Sequence, residues 1–275
     1  LALHHYIDEP VLALLVAACA TSPTGRRQLM LVSEDQAISS SRQAYAQEMG
    51  KYQKEGKLVT DPRTLKRVSV ITERLVAQAV KMRPDSAKWQ WSVQVIDDPK
   101  TVNAWCMAGG RMALYTGLIM KVDPTDDELA QVMGHEIAHA LANHTAERMS
   151  TAMAANAGIL AAGILSDNPG QAMAMTAAAA TVAIKLPNSR TAENEADQIG
   201  IELAARAGYD PRAAVTLWQK MGQVGGGSPP EFLSTHPSDV TRQQRLGALA
   251  PKMMPYYQAG GARPAYPVRM GPAGV

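Results

Sequence analysis

The stretch His135-Glu136-Ile137-Ala138-His139 decides how this chain is interpreted. Residues four apart on an α-helix lie on one face, so both histidines can direct imidazole nitrogens at a single metal ion. Glu136 lies off that stripe beside the first histidine, a position suited to taking a proton from an attacking water. With one further carboxylate, two neutral imidazoles make the open site that zinc occupies. The stretch therefore predicts one Zn²⁺ per chain, and two surface histidines on an amphipathic helix are the alternative explanation.

The third metal ligand is not found directly after this stretch. A metzincin would continue with a glycine and a third histidine soon after His139. The chain instead reads Ala140-Leu-Ala-Asn-His144, which lacks the glycine and puts His144 at a different spacing. The ligand is therefore expected farther along the chain.

A better source is the segment Ser189-Arg-Thr-Ala-Glu-Asn-Glu-Ala-Asp197. Its residues Arg190, Glu193 and Asp197 are three and four apart, so a helix brings them to one face. Glu193 is predicted as the third ligand, and Asp197 as a carboxylate that orients a ligand histidine. Glu195 falls on another face and is predicted to be solvated or paired.

The flanking sequence predicts an α+β fold that is mostly helical. Pro124 precedes Thr125-Asp-Asp-Glu128, a capping-box pattern that starts a helix. This helix is expected to continue to about Arg148. Periodicity and turn signals predict further helices and two strands. The helices are Glu34–Met49, Leu65–Met82, Ser189–Ala207 and Asp239–Leu249, and the strands are Trp89–Ile96 and Arg111–Tyr115.

Composition limits the possible partners. The chain has 275 residues, 46% of them hydrophobic, enough to bury one sizeable core. Its formal net charge of +2 is too small to indicate a nucleic-acid surface. No nucleic-acid partner is predicted.

The beginning of the sequence has the pattern of a secreted lipoprotein. The apolar run Val11–Ala18 is too short to span a bilayer, and Val16-Ala-Ala-Cys19 resembles a bacterial lipobox. That resemblance implies cleavage before Cys19, lipidation of its thiol and a membrane anchor, and Ala20 implies the periplasmic side of the outer membrane. The alternative is an apolar N-terminal helix with an incidental cysteine.

These patterns divide the chain into four regions. Residues 1–18 are predicted to be a lipoprotein signal peptide and residues 19–33 a lipid-anchored flexible tether. A zinc metalloprotease domain is predicted over residues 34–250, followed by a poorly ordered Pro/Gly-rich tail over 251–275. The Ala- and Met-rich segment 149–186 is predicted to form a helical hairpin, which either packs on the domain or faces a membrane or substrate.

Taken together, the motifs resemble the HtpX- and Oma-type zinc metallopeptidases, in particular the LoiP-like bacterial lipoprotein branch. The resemblance extends from about Glu34 to Leu249 and rests on four motifs: Asn103-Ala-Trp-Cys-Met-Ala-Gly-Gly110, His135–His139, Ser189–Asp197 and Ser234-Thr-His-Pro237. It implies a gluzincin-type fold with a small β-sheet beside the HExxH helix. It also implies Glu193 as third ligand and Asp197 as its supporting carboxylate. It further implies that substrate binds along an edge strand near Asn103 to Tyr115, with Asn103, Gly109 and Gly110 as substrate-binding residues.

Three residues keep open alternatives. His236 follows a Gly/Pro-rich segment and could hydrogen-bond the oxyanion of the reaction, act as a further metal ligand, or be a structural turn histidine. Arg190 could pair with Asp197 or reach the oxyanion. Cys106 is expected to pack beside the strand rather than to react.

The resemblance implies a zinc-dependent endopeptidase of the bacterial cell envelope that hydrolyses peptide bonds in misfolded or unassembled proteins. Its expected partners are unfolded envelope polypeptides and, through the lipid anchor, a membrane. The alternative is a membrane-tethered, zinc-containing, chaperone-like binding module with negligible turnover. Glu136 favours the enzyme, because a binding module needs no base beside the first ligand.

Overall fold

A computed structural model of the protein describes residues 19–165, 168, 189–224, 230–236 and 240–271. The predicted signal peptide and the second half of the Ala- and Met-rich segment lie outside the described residues. Within the described residues, no helix combines the length and apolarity needed to cross a bilayer.

Helices make up most of the described chain and strands only a small part, which confirms the predicted fold class. The helices are α1 (Glu34–Lys54), α2 (Pro62–Met82), α3 (Thr116–Val122), α4 (Asp126–Leu141), α5 (His144–Leu165), α6 (Arg190–Ala207), α7 (Ala213–Gln223), α8 (Glu231–Thr235) and α9 (Val240–Gln258). The strands are β1 (Cys19–Thr21), β2 (Arg27–Leu29), β3 (Ser92–Ile96), β4 (Ala104–Met107), β5 (Arg111–Tyr115) and β6 (Arg269–Met270).

The chain forms two compact units, of which the smaller comprises residues 1–37 and 145–185. In it, β1 and β2 pair antiparallel, and the Arg26 guanidinium donates two hydrogen bonds of 2.6 Å to the Glu147 carboxylate. A β-hairpin thus lies where the sequence predicted a flexible tether. The bidentate ion pair stabilises this segment, and local composition gives no sign of such a contact.

The larger unit comprises residues 38–144 and 186–275, and α4 is its central helix. The predicted capping box is present: the Thr125 hydroxyl accepts from Glu128 N at 3.2 Å, and the Glu128 carboxylate accepts from Thr125 N at 2.8 Å. From Glu128 to Leu141 every residue of α4 is buried. Helices α2 and α6 pack against it, α2 through an apolar stripe that includes Val68, Ile71 and Leu75.

The helix ends earlier than the sequence predicted. It stops at Leu141 rather than near Arg148, because Asn143 adopts the left-handed conformation with φ of 56° and a new helix begins at His144. Asparagine is among the residues that tolerate this conformation. Arg83 stabilises the break by donating to Leu141 O at 2.9 Å and to Asn143 Oδ1 at 3.1 Å.

The sheet of the larger unit has the order β4-β5-β3-β6. Strand β4 pairs antiparallel with β5, while β3 pairs parallel with both β5 and β6. Strand β4 is therefore an edge strand, and it packs against α4.

The Pro/Gly-rich tail was predicted to be poorly ordered, and this prediction is wrong for residues 251–271. Helix α9 continues through Pro251 and Pro255, and β6 adds a strand to the sheet. Between them, the Arg263 guanidinium donates to carbonyl oxygens of Arg206, Tyr256, Tyr257 and Ala259. The pairing of β6 with β3 and the hydrogen bond to the Arg206 carbonyl are long-range contacts, and they order a segment whose composition alone indicates disorder.

Candidate metal centre

Helices α4 and α6 approach closely where two glycines meet. A Cβ atom on Gly200 would lie 2.8 Å from His135 N, and one on Gly134 would lie 2.9 Å from Gly200 O. Real Cβ atoms essentially never make contacts this short, so only glycine allows this approach of the helices. The close crossing places the His135–His139 turn of α4 beside the first turns of α6.

Four buried side chains converge at this crossing: His135, His139, Glu193 and His236. Each offers one ligand atom, and these atoms all lie within 4.8 Å of one another. His135 Nε2 is 3.1 Å from His139 Nε2 and 3.2 Å from Glu193 Oε2. The structure thus brings the three predicted ligands together and adds His236 to them.

The chemistry of this donor set fits a divalent metal ion. The Nε2 atoms of His135 and His139 face each other and the Glu193 carboxylate, so several lone pairs point at one small volume. Among the described residues, Glu136 Oε1 is buried without a hydrogen bond, and Glu193 Oε2 has ion-pair contacts only, with Arg242 Nη1 at 3.0 Å and His135 Nε2 at 3.2 Å. Buried polar atoms are almost always satisfied. A zinc ion bound by two imidazoles and a carboxylate would accept the nitrogen and oxygen lone pairs that converge here.

His135 is held from behind by a carboxylate and a guanidinium. Its Nδ1 lies 3.1 Å from Asp197 Oδ1, and the same carboxylate accepts from Arg242 Nε at 2.9 Å and Nη2 at 2.6 Å. Arg242 is 1% exposed, and its guanidinium lies over the Trp218 ring at 3.7 Å. Asp197 therefore has the predicted position, with Arg242 as its cationic partner.

The predicted pairing of Arg190 with Asp197 is wrong. Arg190 is exposed at the first position of α6, seven residues before Asp197. That separation is about 10 Å along the helix axis, whereas Arg242 reaches the same carboxylate directly. An oxyanion contact by Arg190 stays a prediction.

His139 is held by a different pair of side chains. Its Nδ1 lies 2.7 Å from His144 Nδ1, and His144 Nε2 lies 3.1 Å from Glu195 Oε2. His144 and Glu195 are both about 4% exposed. Of the two alternatives predicted for Glu195, the paired one is confirmed and the solvated one is wrong.

Burial and charge shift the pKa values of these groups in different directions. Burial acts to lower the pKa of His135, but the carboxylates of Glu193 and Asp197 outweigh it and raise that pKa to about 9. Burial lowers the pKa of His139. The pKa of Glu193 is lowered, since its histidine neighbours outweigh the opposing effect of burial. Burial raises the pKa of Glu136, which makes that carboxylate a stronger base.

His236 enters the cluster from the end of α8. Its Nδ1 lies 2.9 Å from Glu193 Oε1, its Nε2 lies 3.4 Å from Glu136 Oε1, and its ring stacks on Phe232 with centroids 4.6 Å apart. Phe232 N in turn donates to Val102 O at 3.0 Å, just before β4. A histidine in these contacts is part of the site rather than a simple turn residue.

The predicted substrate residues flank the two ends of β4, where they have structural roles. Asn103 is buried and donates to Glu231 Oε1 at 3.0 Å. Gly109 and Gly110 form the turn to β5 with φ of 83° and 81°, and a Cβ on Gly110 would lie 2.5 Å from the Trp91 ring. The turn thus needs glycine for its own geometry. Substrate contacts by these residues stay predictions.

Cys106 lies on β4 and packs as expected. It is buried, and burial, together with the nearby Glu136 carboxylate, raises the pKa of its thiol well above the ordinary value. The thiolate is therefore disfavoured. Cys19 begins β1, and its lipidation stays a prediction.

A buried helix with the HExxH pattern, a carboxylate on a second helix and a sheet edge beside them define a metallopeptidase of the gluzincin type. The chain belongs to peptidase family M48, whose sequence profile matches residues 62–250.

Curated relatives agree with this assignment. The chain is 32% identical over 231 residues to the mitochondrial metalloendopeptidase OMA1 of Schizosaccharomyces pombe, covering 83% of this chain and 65% of that protein. It is 32% identical over 245 residues to human metalloendopeptidase OMA1, covering 84% and 45%. It is 30% identical over 209 residues to the beta-barrel assembly-enhancing protease of Yersinia pestis, covering 72% and 41%. The chain thus spans less than two thirds of each relative's length.

Sequence reasoning did not identify Arg242 as a site residue. It was placed within a predicted last helix, with no motif of its own around it. The available signal was electrostatic: a buried cluster with two carboxylates and a base needs a cation besides the metal. Arg242 lies six residues after His236, and its Nη1 donates to His236 O at 3.5 Å.

Proposed function

We propose that this chain is a zinc-dependent endopeptidase with His135, His139 and Glu193 as metal ligands. The observation that carries the proposal is the convergence of these buried donors at the glycine crossing of α4 and α6. Zinc bound by them would act as a Lewis acid toward the scissile carbonyl and toward water. The intact HExxH helix of an M48 member supports hydrolysis over a purely structural role for the metal.

Glu136 is proposed as the general base. Its carboxylate is buried beside His135, and Oε1 has no hydrogen-bond partner among the described residues. In the proposed reaction it takes a proton from the attacking water and gives it to the leaving amine as the peptide bond breaks. Burial raises the pKa of Glu136, which strengthens it as the base that accepts the proton from water.

Substrate is proposed to lie along the open edge of β4. Tyr115 N donates to Asn103 O at 3.1 Å, which sets the alternation of the ladder between β4 and β5. By that alternation, the backbone groups of Cys106 point away from β5. An extended peptide could pair with this edge through its main chain, with little demand on side-chain identity. Unfolded polypeptides are therefore the proposed substrates.

His236 is proposed to act at the reacting centre, in one of two ways. Its contacts with Glu193 and Glu136 suit a donor to the developing oxyanion, and they equally suit a fourth ligand that closes the resting site. The second role would make His236 a latch that must leave before substrate enters.

The proposed location is the bacterial cell envelope, at the periplasmic side of the outer membrane, with Cys19 as a lipidated anchor. Two observations support it: the lipobox-like Val16-Ala-Ala-Cys19, and the similarity to a protease named for β-barrel assembly enhancement. Quality control of misfolded or unassembled envelope proteins is the corresponding proposed role. Globomycin treatment and mass spectrometry of the mature N-terminus would test the anchor.

The test of activity is cleavage of casein by the purified chain, with bound zinc quantified. Wild type should cut, a chelator should stop it, and Glu136→Gln should keep zinc but lose at least about 100-fold in rate. Glu202→Gln, on the same helix as Glu193 but paired with Arg206, is the matched control and should cut normally.

The same experiment separates the alternatives. If wild type holds zinc without cutting, His236→Ala decides the case: release of activity identifies a latched protease. If His236→Ala also fails to cleave casein, the result identifies the chaperone-like binding module and rejects the enzyme.

A further inference from the structure

The ring of His139 makes polar contacts on both of its nitrogens. Nε2 lies 3.1 Å from His135 Nε2 and 3.3 Å from Glu193 Oε1, so it is the nitrogen that faces the proposed metal position. Nδ1 points the other way and lies 2.7 Å from His144 Nδ1. The His144 ring extends this series of polar contacts, since its Nε2 lies 3.1 Å from Glu195 Oε2.

The protons in this series can be assigned from the chemistry of the metal ligand. A neutral imidazole that ligates through Nε2 carries its proton on Nδ1, and that N–H must donate to His144 Nδ1. The nitrogen that accepts has no proton, so His144 carries its own proton on Nε2. That N–H then donates to the Glu195 carboxylate. One arrangement of protons satisfies both hydrogen bonds.

We propose that His144 and Glu195 are positioning residues that fix the tautomer and the ring orientation of His139 for zinc. The proposal rests on the zinc site of the proposed function. It gives His139 a support as complete as the one His135 receives from Asp197 and Arg242. Because His144 and Glu195 are buried, water does not compete for these hydrogen bonds.

The break in the helix makes this contact possible. Five residues of continuous α-helix would turn His144 about 140° away from His139. The left-handed Asn143 instead ends α4 and redirects the chain, so the two rings meet with centroids 4.9 Å apart. Arg83 fixes Asn143 by donating a hydrogen bond to the Oδ1 atom of Asn143. The helix end is thus part of the apparatus that orients the ligand.

Selective ¹⁵N-histidine labelling of the zinc-loaded full chain tests the proton assignment directly. Side-chain ¹⁵N shifts should show His139 protonated at Nδ1 and His144 protonated at Nε2, which are opposite tautomers. A His144 ring with its proton on Nδ1 would overturn the proposal, because that N–H cannot accept from His139.

Zinc affinity, measured by competition with a chromophoric chelator, tests the consequence. His144→Leu should weaken binding about 10- to 100-fold, the usual range for loss of a supporting partner. Glu195→Gln should cost less, because its amide oxygen can still accept. The double variant should cost no more than His144→Leu, because the two residues act in series. The matched control Glu202→Gln should bind as wild type does.

The remaining outcomes are also decisive. A folded His144→Leu variant with zinc affinity within twofold of wild type would overturn the proposal, and if that variant does not fold, the tautomers in the wild-type protein decide. Wild type that holds zinc but does not cleave casein rejects the proposed activity alone, and the tautomers and affinities still decide this inference. Wild type that binds no zinc overturns both.

Discussion

At its first turn, α4 has backbone donors that are capped by its own residues, whereas the ligand histidines of its last turns are held by side chains up to 107 residues away. The first turn has a capping box between Thr125 and Glu128. The end that carries His135 and His139 depends instead on Asp197, Arg242, His144 and Glu195, of which only His144 is near in sequence. One helix thus combines a start whose backbone cap is local with a functional end whose histidines need the tertiary fold.

The difference follows from what each end requires. Orphan backbone donors at a helix start can be satisfied by neighbouring side chains. Two ligand histidines must be held at one metal position, and this needs partners behind each ring that the same helix cannot supply. The end of α4 that carries His135 and His139 is therefore expected to be more sensitive to substitution than the first turn.

The largest effect is expected from Arg242→Met. Removing this buried cation leaves the Asp197 and Glu193 carboxylates without it, which should cost about 3–5 kcal/mol of the free energy of unfolding. Urea unfolding in the presence of chelator measures this loss without the contribution of bound metal. Arg245→Met is the matched control, since Arg245 is exposed on the same helix and, within the described ranges, its side chain bonds to Thr241 and to no buried carboxylate. Equal losses in the two variants would show that the site end is not electrostatically dependent on Arg242.

Gly200→Ala should have the next largest effect. The added methyl group would meet the His135 backbone at 2.8 Å and force α4 and α6 apart, at about 2 kcal/mol of stability. Zinc affinity should fall as well, because the ligands lie on opposite sides of this crossing. Gly247→Ala, at an exposed position of α9 with open space around it, should instead stabilise by about 0.5–1 kcal/mol. A Gly200→Ala variant with wild-type zinc affinity would mean that the close crossing is not what sets the ligand geometry.

Glu128→Gln should destabilise by about 1.5 kcal/mol at pH 7, in a pH-dependent way. Burial acts to raise the pKa of Glu128, but Lys220 Nζ at 2.6 Å, Thr125 N and the Thr216 hydroxyl outweigh it and lower that pKa. A lowered folded-state pKa contributes stability above the unfolded value of about 4.3, and this stability is lost as pH falls through the folded pKa. The difference between wild type and variant should therefore shrink in urea titrations from pH 5 to pH 3. A difference that stays constant with pH would assign the loss to packing.

Thr125→Ala should have the smallest effect, a loss of about 1 kcal/mol, because it removes one capping hydrogen bond. Zinc affinity and casein cleavage should stay within twofold of wild type, since the cap lies at the opposite end of α4 from the ligands. Thr125→Ser, which keeps the hydroxyl, should restore stability. Reduced zinc affinity in folded Thr125→Ala would show that the two ends of the helix are coupled.

The same contrast explains which parts of the fold could be predicted. Fold class, the capping box, and the convergence of His135, His139 and Glu193 followed from spacing and periodicity, which are local properties of the sequence. The end of α4 was predicted too late because Asn143 interrupts a sequence that otherwise favours helix. The order of the tail was missed because two of its partners, strand β3 and the Arg206 carbonyl, are distant in sequence.

The supports behind the ligands were the hardest part of the site to predict. Asp197 was found because it shares a helix face with Glu193, whereas Arg242 lies on another helix and was not singled out. His144 was considered only as a misplaced metal ligand, and Glu195 was predicted to be solvated or paired, without a partner being named. The role of Arg242, His144 and Glu195 depends on contacts between separate elements, and no spacing rule within one helix predicts such contacts.

Strand β6 has a consequence for how the protein acquires its structure. Its pairing of Arg269 with Ser92 of β3 joins positions 177 residues apart, across the segments that carry all four clustered side chains. Closing such a long loop is entropically costly and slows folding relative to helical proteins with local contacts. During synthesis, His135, His139, Glu193 and His236 all leave the ribosome before Arg242 and β6. The metal ligands are therefore synthesised before Arg242 and β6, which are needed to finish the larger unit. Zinc binding is expected late in folding.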